Sequence, residues 1–283
     1  MRILMVGDVV GKPGRLAVAE HVPQIRAEHQ VDFVIVNAEN TAGGNGITPD
    51  IAISMLKNGS IDVLTLGNHA WGKREIYSYL DEEPRLLRPA NYPPGSPGQG
   101  YGVYPWAGGL VGVISLQGRT FMEPVDDPFR TVDTILETLR PKTPILFIDF
   151  HAEATSEKQG FGYHVDGRVS AVVGTHTHIQ TADERILPKG TAYLTDVGMT
   201  GPIYSIIGVS VDAVLSRFVT GLPARFEVAD GEVQLCGVMV DVDPETGKAT
   251  TIQRIQVPTH QEHYATRAKQ GSPADPDDNF RTE

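Results

Sequence analysis

Apolar positions along this chain come in short continuous runs, and each run stops at a polar residue. "RILMVGD", "VDFVIVNAEN", "IDVLTLGNH", "PILFIDFHAE" and "VSAVVGTHTH" all end this way, in Gly, Asp, Asn or His. Continuous rather than alternating runs predict strands buried on both faces. Helical patterns separate them. "GRLAVAEHVPQIRAEH" follows the first run, and "FRTVDTILETLRP" precedes the fourth. "TPDIAISMLKNG" follows the second, with Thr48 as N-cap and Pro49 at the first helical position. The alternation predicts an α/β fold. Residues 92–100, "YPPGSPGQG", read as a Pro/Gly-rich loop. From about 205 to 256 the pattern turns hairpin-like, with turn signals at Asp230-Gly231 and Thr246-Gly247. These strands are expected to complete a second sheet packed on the first. The expected organisation is one domain over 1–258, followed by a polar tail at 259–283 that is partly disordered.

Composition narrows the function. A chain of 283 residues suits one α/β domain. Its formal charge of −11 excludes bulk nucleic-acid binding, which needs a basic surface to release counterions. Any phosphate it binds needs a local source of positive charge. Cys236 is the only cysteine, so no intrachain disulfide forms, as suits a reducing cytoplasm. "MRILMVGD" is too short for a signal peptide, and no apolar segment approaches about 20 residues. The expectation is a cytoplasmic protein that does not enter a membrane.

Ligands of α/β sheets bind beyond the carboxyl ends of the strands. Every run ends there in residues able to hold a metal: Asp8, Glu39 with Asn40, Asn68 with His69, His151, and His176 with His178. Singly, each has an ordinary reading as a cap or a solvated loop residue. Jointly, they would gather costly polar groups at one edge of the core. A pair of divalent cations resolves that cost. Carboxylate oxygen and imidazole nitrogen suit Mn, Fe or Zn, and the lack of thiolates argues against a closed structural zinc site. His176 and His178, two apart in an extended segment, point to the same side and can reach two adjacent ions. Other signals carry less. "GDVVGKPG" has glycines at 7, 11 and 14 and Pro13 in place of Ser or Thr, so it is neither a dinucleotide fingerprint nor a P-loop. Ser115 in "GVISLQG" lacks the spacing of a nucleophile elbow. Trp71 and Trp106 read as core or interface residues before base-stacking ones. His164 stays outside the site, and His260 and His263 read as solvated.

In order, "GDVV", "NAEN", "GNHA", "FHAE" and "GTHTH" resemble the motif series of the calcineurin-like metallophosphoesterases. Two departures stand out. Val10 occupies the place of that series' first histidine, and Asn37-Ala38-Glu39-Asn40 replaces Gly-Asp-x-x-Asp. With "GDVVGKPGR", "NAENTAGGNGIT", "DFHAEATSEK" and "TAYLTDVGMTGP", the chain resembles the YmdB-like subfamily from Met1 to about Pro258. The resemblance implies a four-layer α/β/β/α sandwich, a dinuclear metal site and hydrolysis of 2′,3′-cyclic nucleotides to 3′-nucleotides. By position it assigns Asp8, Asn40 and His178 to one metal and Asn68, His151 and His176 to the other. It makes Glu39 the bridge and His69 the proton donor. Losing an imidazole at Val10 hardens the first site and favours Fe or Mn over Zn. The expected mechanism is a water shared by two cations, acidified to a hydroxide that attacks phosphorus in line, with His69 protonating the leaving oxygen. Two alternatives stay open: a phosphomonoesterase on the same site, and a nucleotide-binding regulatory module with little turnover. The β-rich second half favours a homo-oligomer.

Overall fold

The computed structural model describes residues 1–259. The first half alternates as the pattern predicts. β1 (Arg2–Val6) and the short β2 (Asp8–Val9) lead into α1 (Gly11–Glu28), β3 (Phe33–Asn37), α2 (Pro49–Leu56) and β4 (Val63–Thr65). A 3₁₀ turn (Asn68–Trp71) follows, then α3 (Ile76–Glu82) and β5 (Leu86–Leu87). The hairpin β6 (Tyr101–Trp106) and β7 (Gly109–Gln117) precedes α4 (Pro128–Leu139), β8 (Leu146–His151), α5 (Thr155–Val165) and β9 (Ala171–Thr175). The chain closes with β10 (Arg185–Ile186), β11 (Ala192–Leu194), β12 (Met199–Pro202), α6 (Val211–Thr220), β13 (Val233–Val242) and β14 (Ala249–Thr259). Local chemistry sets several boundaries. The Thr48 side chain accepts from the Ile51 N–H ahead of Pro49, and Asp127 caps α4 through the Phe129 and Arg130 N–H groups. α6 stops at Gly221, which takes a left-handed φ of 71°.

Two sheets result. One runs β2-β12-β13-β1-β3-β4-β5, with β14 on the free side of β13; the other runs β10-β11-β9-β8-β7-β6. Side-chain alternation sorts each strand between two cores. Ile3, Met5, Phe33 and Ile35 meet Val113, Phe147 and Val173 between the sheets. Leu4, Val6, Val34 and Val36 turn the other way, onto Val18, Val22, Ile51 and Leu80 of α1, α2 and α3. Ile148, Phe150 and Val172 pack outward onto Leu136 of α4 and Phe161 of α5. The architecture is the four-layer α/β/β/α sandwich.

Two expectations need correction. The late hairpin β13–β14 does not build the second sheet. It extends the first one, antiparallel to β1, with Arg2 opposite Asp241 and Val6 opposite Gly237. Residues 211–220, read as strand-like, form helix α6. Thr259 closes β14 opposite Val233, and the remainder of the expected tail, with His260 and His263, lies outside the described residues.

Candidate metal centre

The carboxyl ends of both sheets meet at one place. Asp8 opens β2, Glu39 and Asn40 follow β3, and Asn68 and His69 lie on the turn after β4. His151 ends β8 in the second sheet, and His176 and His178 follow β9. Two triads gather there: Glu39, His151 and His176, and Asp8, Glu39 and His178, with ligand atoms within 4.8 Å of one another in each. Glu39 belongs to both. Asp8, Glu39, Asn40 and His151 are buried, while His69, His176 and His178 are partly open to solvent. Gly67 permits the crossing between sheets, because a Cβ there would lie 2.2 Å from the His151 ring. His176 and His178 take left-handed φ angles of 95° and 66° without being glycine. Each such residue costs about 1–3 kcal/mol unless its surroundings hold it.

Each histidine has an outer partner that leaves its other nitrogen facing inward. His151 Nδ1 donates to Thr175 Oγ1 at 2.9 Å, and the Thr175 hydroxyl donates to buried Asp149 at 2.7 Å. His151 Nε2 then sits 3.2 Å from Glu39 Oε2, 2.9 Å from Asn68 Oδ1 and 3.0 Å from His176 Nδ1. His176 turns Nε2 to Glu153 at 3.1 Å. His178 donates from Nδ1 to the Ile207 carbonyl at 2.8 Å and aims Nε2 at the amide of Asn40, 3.1 Å away. Such partners fix ring orientation and tautomer in metal-binding histidines. The other end of the Asn40 amide meets His69 Nδ1 at 2.8 Å.

The charges are tightly interlocked. Burial drives Asp8 up to about 6, against the pull of His178 and His151. Burial would also raise Glu39, but the charges and hydrogen bonds of His151 and His69 hold it well below the usual carboxylate range. Burial disfavours a charged His151; Glu39, Asp8 and Asp149 outweigh it and lift the imidazole to about 9. Burial and the neighbouring His151 charge drop His176 to about 3. His69 is raised, because Glu39 overrides burial. The Asp8 Oδ1 atom is buried without a hydrogen-bond partner. An unpaired carboxylate oxygen next to two inward-facing imidazoles and a shared glutamate is a donor set that fits divalent metal.

The structure thus brings together all eight residues that the sequence nominated. It keeps His164 away, on Asp133 at 3.0 Å, and packs the half-buried Trp71 against Tyr77 and Tyr92. Arg15 donates to the Thr41 carbonyl, behind the loop that follows Asn40. Sequence reasoning missed Asp149, Thr175 and Glu153, although "DFHAE" contains two of them. The signal was a carboxylate beside each end of a ligand histidine.

The pattern of the YmdB-like protein family matches residues 4–255. The chain belongs to the YmdB-like family. This YmdB-like protein is 52% identical over 257 residues to a Bacillus subtilis 2′,3′-cyclic-nucleotide 2′-phosphodiesterase, covering 91% of the chain and 97% of that relative. A crystal structure of a hypothetical protein from Thermus thermophilus superposes with a TM-score of 0.85 at 43% identity, covering 91% of the chain and 99% of its own. A structure described as a novel phosphatase from Mycoplasma pneumoniae gives 0.86 at 34% identity, covering 94% and 96%.

Proposed function

We propose that this YmdB-like protein is a metal-dependent phosphodiesterase acting on 2′,3′-cyclic nucleotides, releasing the 2′ oxygen to leave a 3′-nucleotide. The observation that carries the reading is the pair of triads sharing Glu39, with Asp8 Oδ1 left unpaired beside them. The name of the Bacillus subtilis relative supports the substrate class. In this reading Asp8, Asn40 and His178 would hold one cation, Asn68, His151 and His176 a second, and Glu39 would be shared by both. Bound cations there supply Lewis acidity toward phosphoryl oxygens and lower the pKa of water. They also provide the positive field that a chain of −11 lacks elsewhere. The oxygen-rich donor set favours manganese or iron.

The chain's own groups orient and protonate. In the protonated ring both nitrogens carry hydrogen: His69 Nδ1–H donates to Asn40 Oδ1 at 2.8 Å, and Nε2–H is left for the substrate. His69 is partly exposed, and Glu39 keeps it protonated to higher pH than an ordinary imidazole, which suits an acid for the departing 2′ oxygen. One water adds to phosphorus and gives up a proton to solvent, the P–O2′ bond breaks, the 2′ oxygen takes the His69 proton, and solvent returns a proton to His69. Hydrolysis of phosphomonoesters on the same site is a second reading, favoured by the description of the Mycoplasma pneumoniae structure. Elemental analysis of protein purified without chelator, followed by a panel of 2′,3′-cyclic AMP, 3′-AMP and 5′-AMP, tests both. The reading predicts transition metal and turnover of the cyclic ester; a metal-refractory protein sinks it, and hydrolysis of monoesters alone transfers support to the second reading.

Residues 1–258 are read as one catalytic domain in the cytoplasm, where a lone buried Cys236 stays reduced. No helix among the described residues is long and apolar enough to cross a membrane. Self-association through α6 completes the reading. Phe218 is 75% and Val219 82% exposed, and Leu215 and Leu222 extend the same apolar surface. Light scattering should give a mass above one chain, and Phe218→Asp should lower it; a monomeric wild type rejects this part.

A further inference from the structure

Behind the two left-handed histidines lies a buried ion pair with no part in the reaction above. Lys158 on α5 is 1% exposed, and Asp196, just after β11, is fully buried. Lys158 Nζ donates to Asp196 Oδ2 at 2.6 Å. The same oxygen accepts the Thr177 N–H at 3.2 Å and the Thr177 hydroxyl at 2.8 Å. The other oxygen accepts the Gly198 N–H at 2.8 Å. Thr177 is the residue between His176 and His178. Farther along, Thr181 donates its N–H to the Asp196 carbonyl, and Asp196 returns its own N–H to the Thr181 hydroxyl. The segment after β9 is therefore tied at both ends to one aspartate.

Stability alone does not explain this pair. Two ions taken out of water lose hydration that their attraction repays only in part, and an apolar pair of similar size does as well. What an apolar pair cannot do is receive three donors on one oxygen. Two of the three come from Thr177, through backbone and side chain together. A backbone held left-handed at 176 and 178 relaxes unless something opposes it. Relaxation at either histidine swings Thr177 and breaks its bonds to a carboxylate that Lys158 holds in place at 2.6 Å.

We propose that Asp196, with Lys158 as its buried counter-ion, is a positioning residue for the metal centre: it clamps Thr177 and so sets the directions in which His176 Nδ1 and His178 Nε2 face Glu39. The proposal rests on the metal reading given above. It assigns to α5 and to the loop after β11 a part in metal affinity, although neither supplies a ligand.

Asp196→Asn alone strands the Lys158 ammonium in the core and can unfold the chain. The double variant Lys158→Met/Asp196→Asn removes both charges together, and Thr177→Val removes one hydroxyl from a partly exposed residue. Two readouts separate clamping from simple support: amide hydrogen exchange on the metal-free protein, and calorimetric titration with Mn(II). In the double variant, exchange at 176–178 should speed up while β13 and β14 keep wild-type protection. Its Mn(II) affinity should fall about tenfold or more, as removal of an outer partner of a ligand does. Thr177→Val should move both readouts the same way by a smaller factor. A folded double variant with wild-type Mn(II) affinity overturns the proposal, as does unchanged exchange at 176–178. Wild-type protein that takes up no Mn(II) overturns the metal reading itself, whereas intact wild-type binding with indifferent variants overturns the clamp alone.

Discussion

Gly67→Ala puts the meeting of the two sheets under direct stress. A Cβ at that position falls 2.2 Å from Cδ2 and 2.3 Å from Cγ and Nε2 of His151. Ordinary contact begins near 3.4 Å, so ring and main chain must separate by at least about 1.2 Å. The ring has nowhere to go. His151 is fully buried, bonded through Nδ1 to Thr175 and packed edge-on to His176 at 4.7 Å between centroids. Retreat of the main chain is no better, since Gly67 leads straight into Asn68 and His69. Overpacking of this kind costs about 1–3 kcal/mol, a fall of a few degrees in the thermal midpoint. Function should suffer far more, because a displacement of ~1 Å at a reacting centre costs on the order of 100-fold in rate. The assay is turnover of 2′,3′-cyclic AMP and Mn(II) stoichiometry, beside a melt. Gly160→Ala on α5 is the control: a Cβ there meets nothing within 4 Å, and the change should stabilise by about 0.5–1 kcal/mol with turnover unaltered. Wild-type turnover and full metal in Gly67→Ala would refute the reasoning.

Three more outcomes are expected. Glu39→Gln should weaken both metal positions, and it should drop the His151 imidazole from about 9 by removing its main counter-charge; retention of two full equivalents contradicts the shared role. His69→Ala should keep both metals and lose about 100-fold or more in turnover; metal loss in that variant would make His69 a ligand. Metal uptake should release protons. His151 is raised, so it holds its proton until pH climbs through about 9, and Asp8, raised to about 6, adds a share near and below that pH. Apparent Mn(II) affinity should therefore rise with pH between about 6 and 9 and level off above, with about one proton released at pH 7. Calorimetry in buffers of different ionisation enthalpy reads the count; a heat independent of buffer rules out this linkage.

The strands of the core and the residues at their tips were legible from the chain alone. Those are local facts: a run of Val, Ile and Leu too continuous for a half-exposed strand, and a polar residue where the run stops. Because every parallel strand of an α/β sheet presents its carboxyl end on the same side, order along the chain became convergence in space, from Asp8 to His178. Which sheet the last hairpin joins emerged only on folding. β13 and β1 lie more than 230 residues apart, and either sheet had an edge that could accept an apolar strand. Folding also decided α6, whose exposed Phe218 and Val219 carry the composition of a strand on a helix. The outer partners belong to the same class. Asp149, Glu153, Asp196 and the Ile207 carbonyl act on histidines through distances and a left-handed backbone that no spacing rule encodes. Ligand type is written in the chain because it is a property of single residues; ligand direction is not, because it is set by hydrogen bonds that exist only after the two sheets have closed on each other.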